Sequence, residues 1–418
     1  MLVDATQPIQ QVPTDFMQRP YEFLERLRAD GPAHNLVFPH GAKVWLVTGY
    51  ADVRRLLSDP RVSKDGRRAN ELFARHSGMV VAEQADPVDL GFDDELTSHM
   101  LNSDPPRHTR LRSLVGRELT AKRMEGLRPR LEQVVDGLLD ALDDGRPVVD
   151  LVTGLTQPLP IIAICELLGV AAEDSAVFRR WATELVGAGH PPEVVEAASN
   201  NVIEYAKATI AAKQAHPGDD LISALVHGSG EDGDRLTHDE LVGMFFLLVI
   251  AGYSTTTHSL TNFLFSLLTH PEELAKLRAD SSIMHAAVDE LMRYDGGVGV
   301  ATFRFTKEEV VLGDVVIPPG EILALSLSSA GRDSNRYPEP DRLDLNRRPN
   351  GVLGFGHGPH YCIGAPLARI QSEIALGRLL NRFPQLRLAA DPDALEWENN
   401  PLLRGLLELP VRLRPAGG

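Results

Sequence analysis

From about Thr237 to Thr269 the chain carries one unbroken helical pattern, a rod of roughly 50 Å at 1.5 Å per residue. Its first half is apolar nearly all round, and a helix without a polar face has to be covered on every side. The longest purely apolar run in it, Met244 to Gly252, is about half of the roughly 20 residues that a membrane span needs, so the rod is expected at the centre of a core. Helical periodicity continues through much of residues 105–295, as in Leu131, Val134, Val135, Leu138, Leu139 and Leu142 at spacings of three and four. Strand signals are few and short. Asn35–Phe38 and Lys43–Thr48 flank Pro39-His40-Gly41 as a hairpin, and Glu309–Leu312 and Val315–Ile317 flank Gly313-Asp314 as a second. The expected class is therefore mainly α with small β-sheets. No repeat, low-complexity tract or Gly/Ser linker divides residues 1–418, which predicts a single unit.

Charge and cysteine content narrow the function. With 42 Lys+Arg against 58 Asp+Glu the net charge is −16, which opposes the basic surface that nucleic-acid binding requires. The two cysteines, Cys165 and Cys362, make no disulfide framework in a chain of this length. The first twenty residues show neither a basic segment followed by an apolar one nor a membrane anchor, so a soluble cytoplasmic protein is expected.

Two interruptions carry chemistry. Midway along the long helix the sequence changes to Ala251-Gly252-Tyr253-Ser254-Thr255-Thr256-Thr257-His258. Glycine and back-bonding hydroxyls loosen the main-chain ladder there, and a kink or bulge is expected. Residues 332–364 are rich in Pro, Gly, Asn and Asp, a length of irregular chain that is usually functional, and they end in Gly354-Phe355-Gly356-His357-Gly358-Pro359-His360-Tyr361-Cys362-Ile363-Gly364 before a predicted helix over Ala365–Asn381. Taken alone, a cysteine is more often an inert buried thiol. Here glycines allow close approach of a planar ligand, and a helix N-terminus favours a thiolate.

The pattern F-x-x-G-x-x-x-C-x-G from Phe355 to Gly364 resembles the haem-binding loop of the cytochrome P-450 superfamily, whose cysteine thiolate is the proximal iron ligand. The resemblance implies haem b as cofactor, Cys362 as metal ligand and O2 as co-substrate. Asp104-Pro105-Pro106-Arg107-His108-Thr109-Arg110-Leu111-Arg112 is similar to the family's D-P-P-x-H-x-x-x-R. His108 and Arg112 lie four apart on one helix face, suited to a haem propionate, and Arg304 and His360 match the family's further propionate donors. Glu290 and Arg293 form an E-x-x-R, which by itself is usually a surface ion pair. In Pro340-Asp341-Arg342-Leu343 the resemblance implies that Arg342 joins them in a buried structural network. Ala251, Gly252, Ser254 and Thr255 fall on the oxygen-activation motif A-G-x-[D/E]-T-[T/S], with Ser254 where the acid is expected. Serine can order water but cannot act as an acid source.

By the same resemblance the substrate pocket is lined by the loop from Val88 to Asn102, the region Phe178 to Lys207, Val249 to Ala251, Gly296 to Ala301 (with Val298, Val300 and Ala301), and Leu402 with Leu403. Gly296-Gly297-Val298-Gly299 either leave room for a bulky, largely apolar substrate such as a polyketide, macrolide or terpenoid, or merely turn the chain. Residues 83–104 hold seven acids and no Lys or Arg, read either as a solvated face or as a pocket mouth for a cationic substrate. Between Arg107 and Arg130 the sign reverses, with eight basic residues against Glu118 and Glu125. An acidic ferredoxin with its NAD(P)H-dependent reductase is the implied electron donor to a monomeric monooxygenase of natural-product biosynthesis. Ser254 keeps radical coupling, desaturation or nitric oxide reduction open as alternative chemistry. A non-catalytic haem protein is the reading from another class, against which the intact Thr255 and the basic segment argue.

Overall fold

Thr237 opens the long helix with a reciprocal cap: its hydroxyl accepts from the Glu240 backbone N–H at 3.2 Å, while the Glu240 carboxylate accepts from the Thr237 N–H at 3.0 Å. In the computed structural model, which describes residues 9–38, 43–66, 72, 94–186, 190–230 and 233–415, this central helix spans His238–Thr269. Residues Glu240 to Val249 are buried without a break, as an all-round apolar surface demands. The helix is apolar and long enough to cross a membrane by composition, but most of that stretch lies inside the protein. Gly243 is where another segment crosses it, since a Cβ there would stand 2.7 Å from the Ser98 carbonyl oxygen and 2.9 Å from that of Glu95.

The expected bulge does not form. The central helix continues through Ala251–His258 with no π-turn, although two hydroxyls bond back along it, Thr255 Oγ1 to the Ala251 carbonyl at 2.7 Å and Ser259 Oγ to that of Thr255 at 2.8 Å. A π-helical turn appears instead at Val152–Thr156, in the segment packed against it.

Around the central helix pack Pro158–Leu168, Pro192–Ala215, Met284–Asp295 and Ala365–Arg382, all contributing to one large apolar cluster. To one side lies a six-stranded sheet in the order Gln10–Gln11, Ala33–Val37, Lys43–Val47, Ile322–Leu325, Arg304–Thr306, Val62–Ser63. Both predicted hairpins are present, Ala33–Val37 against Lys43–Val47 and Val310–Leu312 against Val315–Ile317, the second turning at Gly313 with φ of +58°. Alternate residues serve opposite faces of the sheet. Trp45, Val47, Leu323 and Leu325 enter one apolar cluster, and Val44, Leu46, Ile322 and Ala324 enter another.

Candidate active site

The cysteine loop is shaped by two residues in the left-handed region, Gly356 at φ +76° and Gly358 at φ +73°. At Gly358 a Cβ would also collide with Ser58, at 2.7 Å from its Cβ, so this glycine answers to both conformation and packing. The Cys362 N–H donates to the Phe355 carbonyl at 2.9 Å, and the helix Ala365–Arg382 begins three residues on. Cys362 is exposed, and Gly364 leaves its sulfur uncovered: a Cβ there would lie 3.9 Å from Sγ. It is nevertheless surrounded by protein atoms, as the wall of a recess is. This burial raises the thiol pKa, against the opposing pull of the Gly364 and Ala365 backbone N–H groups and of the Arg112 and Arg369 guanidinium groups. The arrangement favours a thiolate as soon as a cation faces the sulfur.

The oxygen-motif residues interrupt the buried run of the central helix. Ala251 is exposed, and Gly252, Ser254 and Thr255 are partly so, whereas their flanking neighbours Tyr253 and Thr256 are buried. A Cβ on Gly252 would meet Ile164 at 2.4 Å, so the glycine seats the central helix on its neighbour Pro158–Leu168. Thr255 keeps its hydroxyl on the Ala251 carbonyl.

Charge converges on the recess edge from three segments. The helix Arg107–Gly116 carries His108 and Arg112, and the Arg112 Nη2 donates to the Tyr361 carbonyl at 2.6 Å. The ring of His108 is 4.1 Å from that of His360, centroid to centroid, and its Nε2 is buried without a hydrogen-bond partner. Burial, then the fields of His108, Lys64, Arg304 and Arg112, hold His360 neutral with a pKa of about 2. Arg304 is 4% exposed and donates to the Thr302 carbonyl, and desolvation lowers its pKa to about 10. Lys64, absent from the sequence reading, is 7% exposed beside it. Asp104, the first residue of the D-P-P motif, joins these parts. Its carboxylate accepts from Ser63 Oγ at 2.6 Å and from the Lys64 N–H at 2.8 Å, while its carbonyl receives the His108 N–H at 2.9 Å.

Among the described residues neither Arg304 nor Lys64 has a carboxylate partner in an ion pair. Two buried basic side chains, both with pKa lowered by desolvation, and an orphaned imidazole nitrogen suit an anionic partner. A group with acidic arms and an atom that a thiolate can ligate would fit the residues present.

The buried network beneath the cysteine loop differs from expectation in one member. Glu290 is 0% exposed and accepts from Arg293 at 2.7 and 2.8 Å. The third side chain is that of Arg347, whose Nε lies 3.0 Å from Glu290 Oε1. Arg342 contributes only its carbonyl, to Arg293 Nη2 at 3.2 Å, and its own side chain points outward to Glu339. The chain between the two arginines has to turn back for Arg347 to reach Glu290, and Asp344 enforces this by donating its N–H to the same carboxylate at 3.1 Å.

The expected pocket wall also differs in origin. Gly297 does not make room: its Cβ would meet Ser259 N at 2.5 Å and the Thr255 carbonyl oxygen at 2.8 Å, so the glycine lets residues 296–301 touch the central helix. Val298 bridges to Leu403, and the Gly299 and Val300 N–H groups both donate to the Leu402 carbonyl. Ala301 bonds the sheet through Leu325, and Val249 is buried in the central core. Val300, Leu402 and Leu403 line a small cleft with Phe16 and Phe38, but no residue of the central helix reaches it. The acidic residues up to Asp93 and the pocket loop from Val88 to Asp93 lie outside the described residues.

The basic segment is largely spent internally. Arg110 pairs with Asp234 and Glu240, Arg123 with Glu118, Arg128 with Glu373, and Arg130 with Glu166. Lys122 is exposed, on a helix packed against Ala365–Arg382.

Comparison with known proteins decides the lineage. Residues 192–406 match the family model described as Cytochrome P450. The chain belongs to the cytochrome P450 family. It is 46% identical over 95% of its length to Cytochrome P450 107B1 of Saccharopolyspora erythraea, covering 96% of that protein. It is also 46% identical over 96% of its length to the monooxygenase PikC of Streptomyces venezuelae, covering 92% of it. The solved structure of the P450 monooxygenase TamI with tirandamycin C bound superposes with a TM-score of 0.86 at 42% identity, covering 97% of this chain and 100% of that one. Membership makes the protein an oxidoreductase that incorporates oxygen from O2 and implies a haem on a cysteine thiolate.

Proposed function

We propose that residues 1–418 form one haem domain, a soluble cytoplasmic monomer that inserts one oxygen atom of O2 into a bulky, largely apolar natural product by hydroxylation or epoxidation. The observation that carries this reading is the accessible Cys362 at a helix start, in the loop whose His360 packs on the orphaned ring of His108 and lies within the fields of Lys64, Arg304 and Arg112. In this reading Cys362 ligates the iron of haem b, and His108, Arg112, Arg304 and His360 hold the propionates. Phe355 and Gly364 pack the cysteine side, where the Arg369 guanidinium lies 4.5 Å above the Phe355 ring. Glu290, Arg293 and Arg347 fix the loop before the cysteine. The haem, when bound, supplies the redox chemistry of O2. The protein supplies the protons. Thr255 Oγ1, anchored on the Ala251 carbonyl, keeps its lone pairs toward the recess and passes protons from water that the Ser254 hydroxyl helps to order.

Val300, Leu402 and Leu403 carry the substrate wall, Val298 is tied to it through Leu403, and Val249 and Ala301 back it from the core; the relatives point to the substrate class, since TamI is solved with tirandamycin C. Electrons come from an external ferredoxin and its NAD(P)H-dependent reductase, docking on the Cys362 face near Tyr361 and Lys122.

Ser254 supports a second reading, oxidative or reductive chemistry less dependent on proton delivery. One experiment separates the two. A substrate identified by its shift of the haem spin state is turned over under 18O2, and a product heavier by one 18O atom is expected. A product formed without label establishes the second reading instead.

A further inference from the structure

Lys64 lies one residue beyond the strand Val62–Ser63, which pairs antiparallel with Arg304–Thr306 in the register Val62 to Thr306 and Ser63 to Phe305. Continued by one step, that register sets Lys64 directly opposite Arg304. Facing residues of an antiparallel pair project their side chains to the same side of the sheet, and like charges in that position repel. Both residues are almost fully buried, at 7% and 4% exposure. The same small element holds them both: Lys64 Nζ donates to Thr302 Oγ1 at 2.9 Å and to the Phe303 carbonyl at 3.1 Å, and Arg304 donates to the Thr302 carbonyl.

An ammonium has three N–H bonds. Two of those on Lys64 go to neutral acceptors, and among the described residues no carboxylate pairs with the third. Asp104, the nearest acid in the network, spends its carboxylate on the Lys64 backbone and on Ser63. It positions the strand end, and its field offsets only part of the effect of burial and of Arg304 on the Lys64 side chain. Burial and the field of Arg304 push Lys64 toward its neutral amine, and a carboxylate set between the two side chains would hold it as the ammonium.

We propose that Lys64 is a further haem-propionate residue, whose third N–H completes with Arg304 a two-cation seat for one propionate. The inference rests on the haem reading given above, and adds to it a side chain that carries no motif. Three properties follow. The seat is specific for a carboxylate, it is assembled only when Val62–Ser63 is docked on Arg304–Thr306, and it is braced by Asp104, which precedes the helix that bears His108 and Arg112 and accepts the His108 N–H.

The test uses the holoprotein. In Lys64→Met, haem is expected to pass to excess apomyoglobin about tenfold faster or more, the loss of one charge-assisted hydrogen bond, and the propionate bending bands of the resonance Raman spectrum are expected to move. Lys64→Arg should restore retention in part and shift those bands again. Thr302→Val removes a neutral anchor of Lys64 but no cation, and should change retention less than Lys64→Met. A Lys64→Met protein with unmoved propionate bands and haem loss within about twofold of the parent overturns the proposal, as does a Thr302→Val protein that reproduces the Lys64→Met defects. Should Lys64→Met not fold, Lys64→Arg decides alone, because unmoved propionate bands in it exclude contact. A parent protein without a thiolate-haem spectrum would refute the haem reading itself, a different outcome from these.

Discussion

His258, one helical turn beyond Ser254, places its Nε2 2.9 Å from the Glu398 carboxylate and so ties the central helix to the C-terminal loop that carries Leu402 and Leu403. The fit is tight on the other side of the ring, where a Cβ on Gly405 would fall 1.8 Å from His258 Nδ1. Hydrogen bonding to His258, only partly offset by burial, lowers the Glu398 pKa below its ordinary 4.5. A carboxylate with a depressed folded-state pKa contributes stability that is fully present above its unfolded value and is lost as pH falls through the folded one. Glu398→Gln should therefore be less stable than the parent by about 0.5–1 kcal/mol at pH 6, a modest figure because the pair is partly solvated. The gap should close as pH drops below about 4.5. Urea unfolding of both proteins across this range measures it, and a gap of constant size would remove the ion pair as its cause. Neither this pair nor Lys64 is legible in the sequence. Each joins residues far apart in the chain, and a lone Lys or His in a polar stretch reads as solvated until its burial is known.

The element that departs most from its sequence reading is the irregular stretch before Cys362. Glu290 and Arg293 are fixed by helical spacing, which makes an i, i+3 pair visible in advance. Their third partner is not, because residues 342–348 offer several arginines and no periodicity selects among them. The backbone turn at Asp344 brings Arg347 inward and leaves Arg342 at the surface. Arg347→Ala should cost about 3 kcal/mol in unfolding free energy, since it strips a buried carboxylate of one partner. Arg342→Ala should cost no more than about 0.5 kcal/mol, and chemical denaturation of the two variants discriminates sharply. Equal effects would contradict this assignment. The glycines near the pocket illustrate the same limit. Sequence marks Gly297 as special, but only the fold shows that it brings residues 296–301 against the central helix and creates no space.

Across the whole molecule the sequence's strongest signal was also its most faithful. An all-round apolar helix had to lie at the centre, and helices packed on it build the large core. Net charge was a poorer guide. The acidic total of −16 hides a basic segment, yet that segment's arginines are mostly paired with acids distant in sequence, such as Asp234, Glu240 and Glu373. Among the described residues the buried side chains of Lys64 and Arg304 have no ion-pair partner, and their fields reach His360 in the cysteine loop. Membership in the family implies that Cys362 binds haem iron as a thiolate. The reduced carbon monoxide difference spectrum tests it most directly. The parent protein should show a band near ~450 nm and Cys362→Ser should lack it; a folded, haem-loaded parent without that band, or a Cys362→Ser protein that retains it, would contradict the claim.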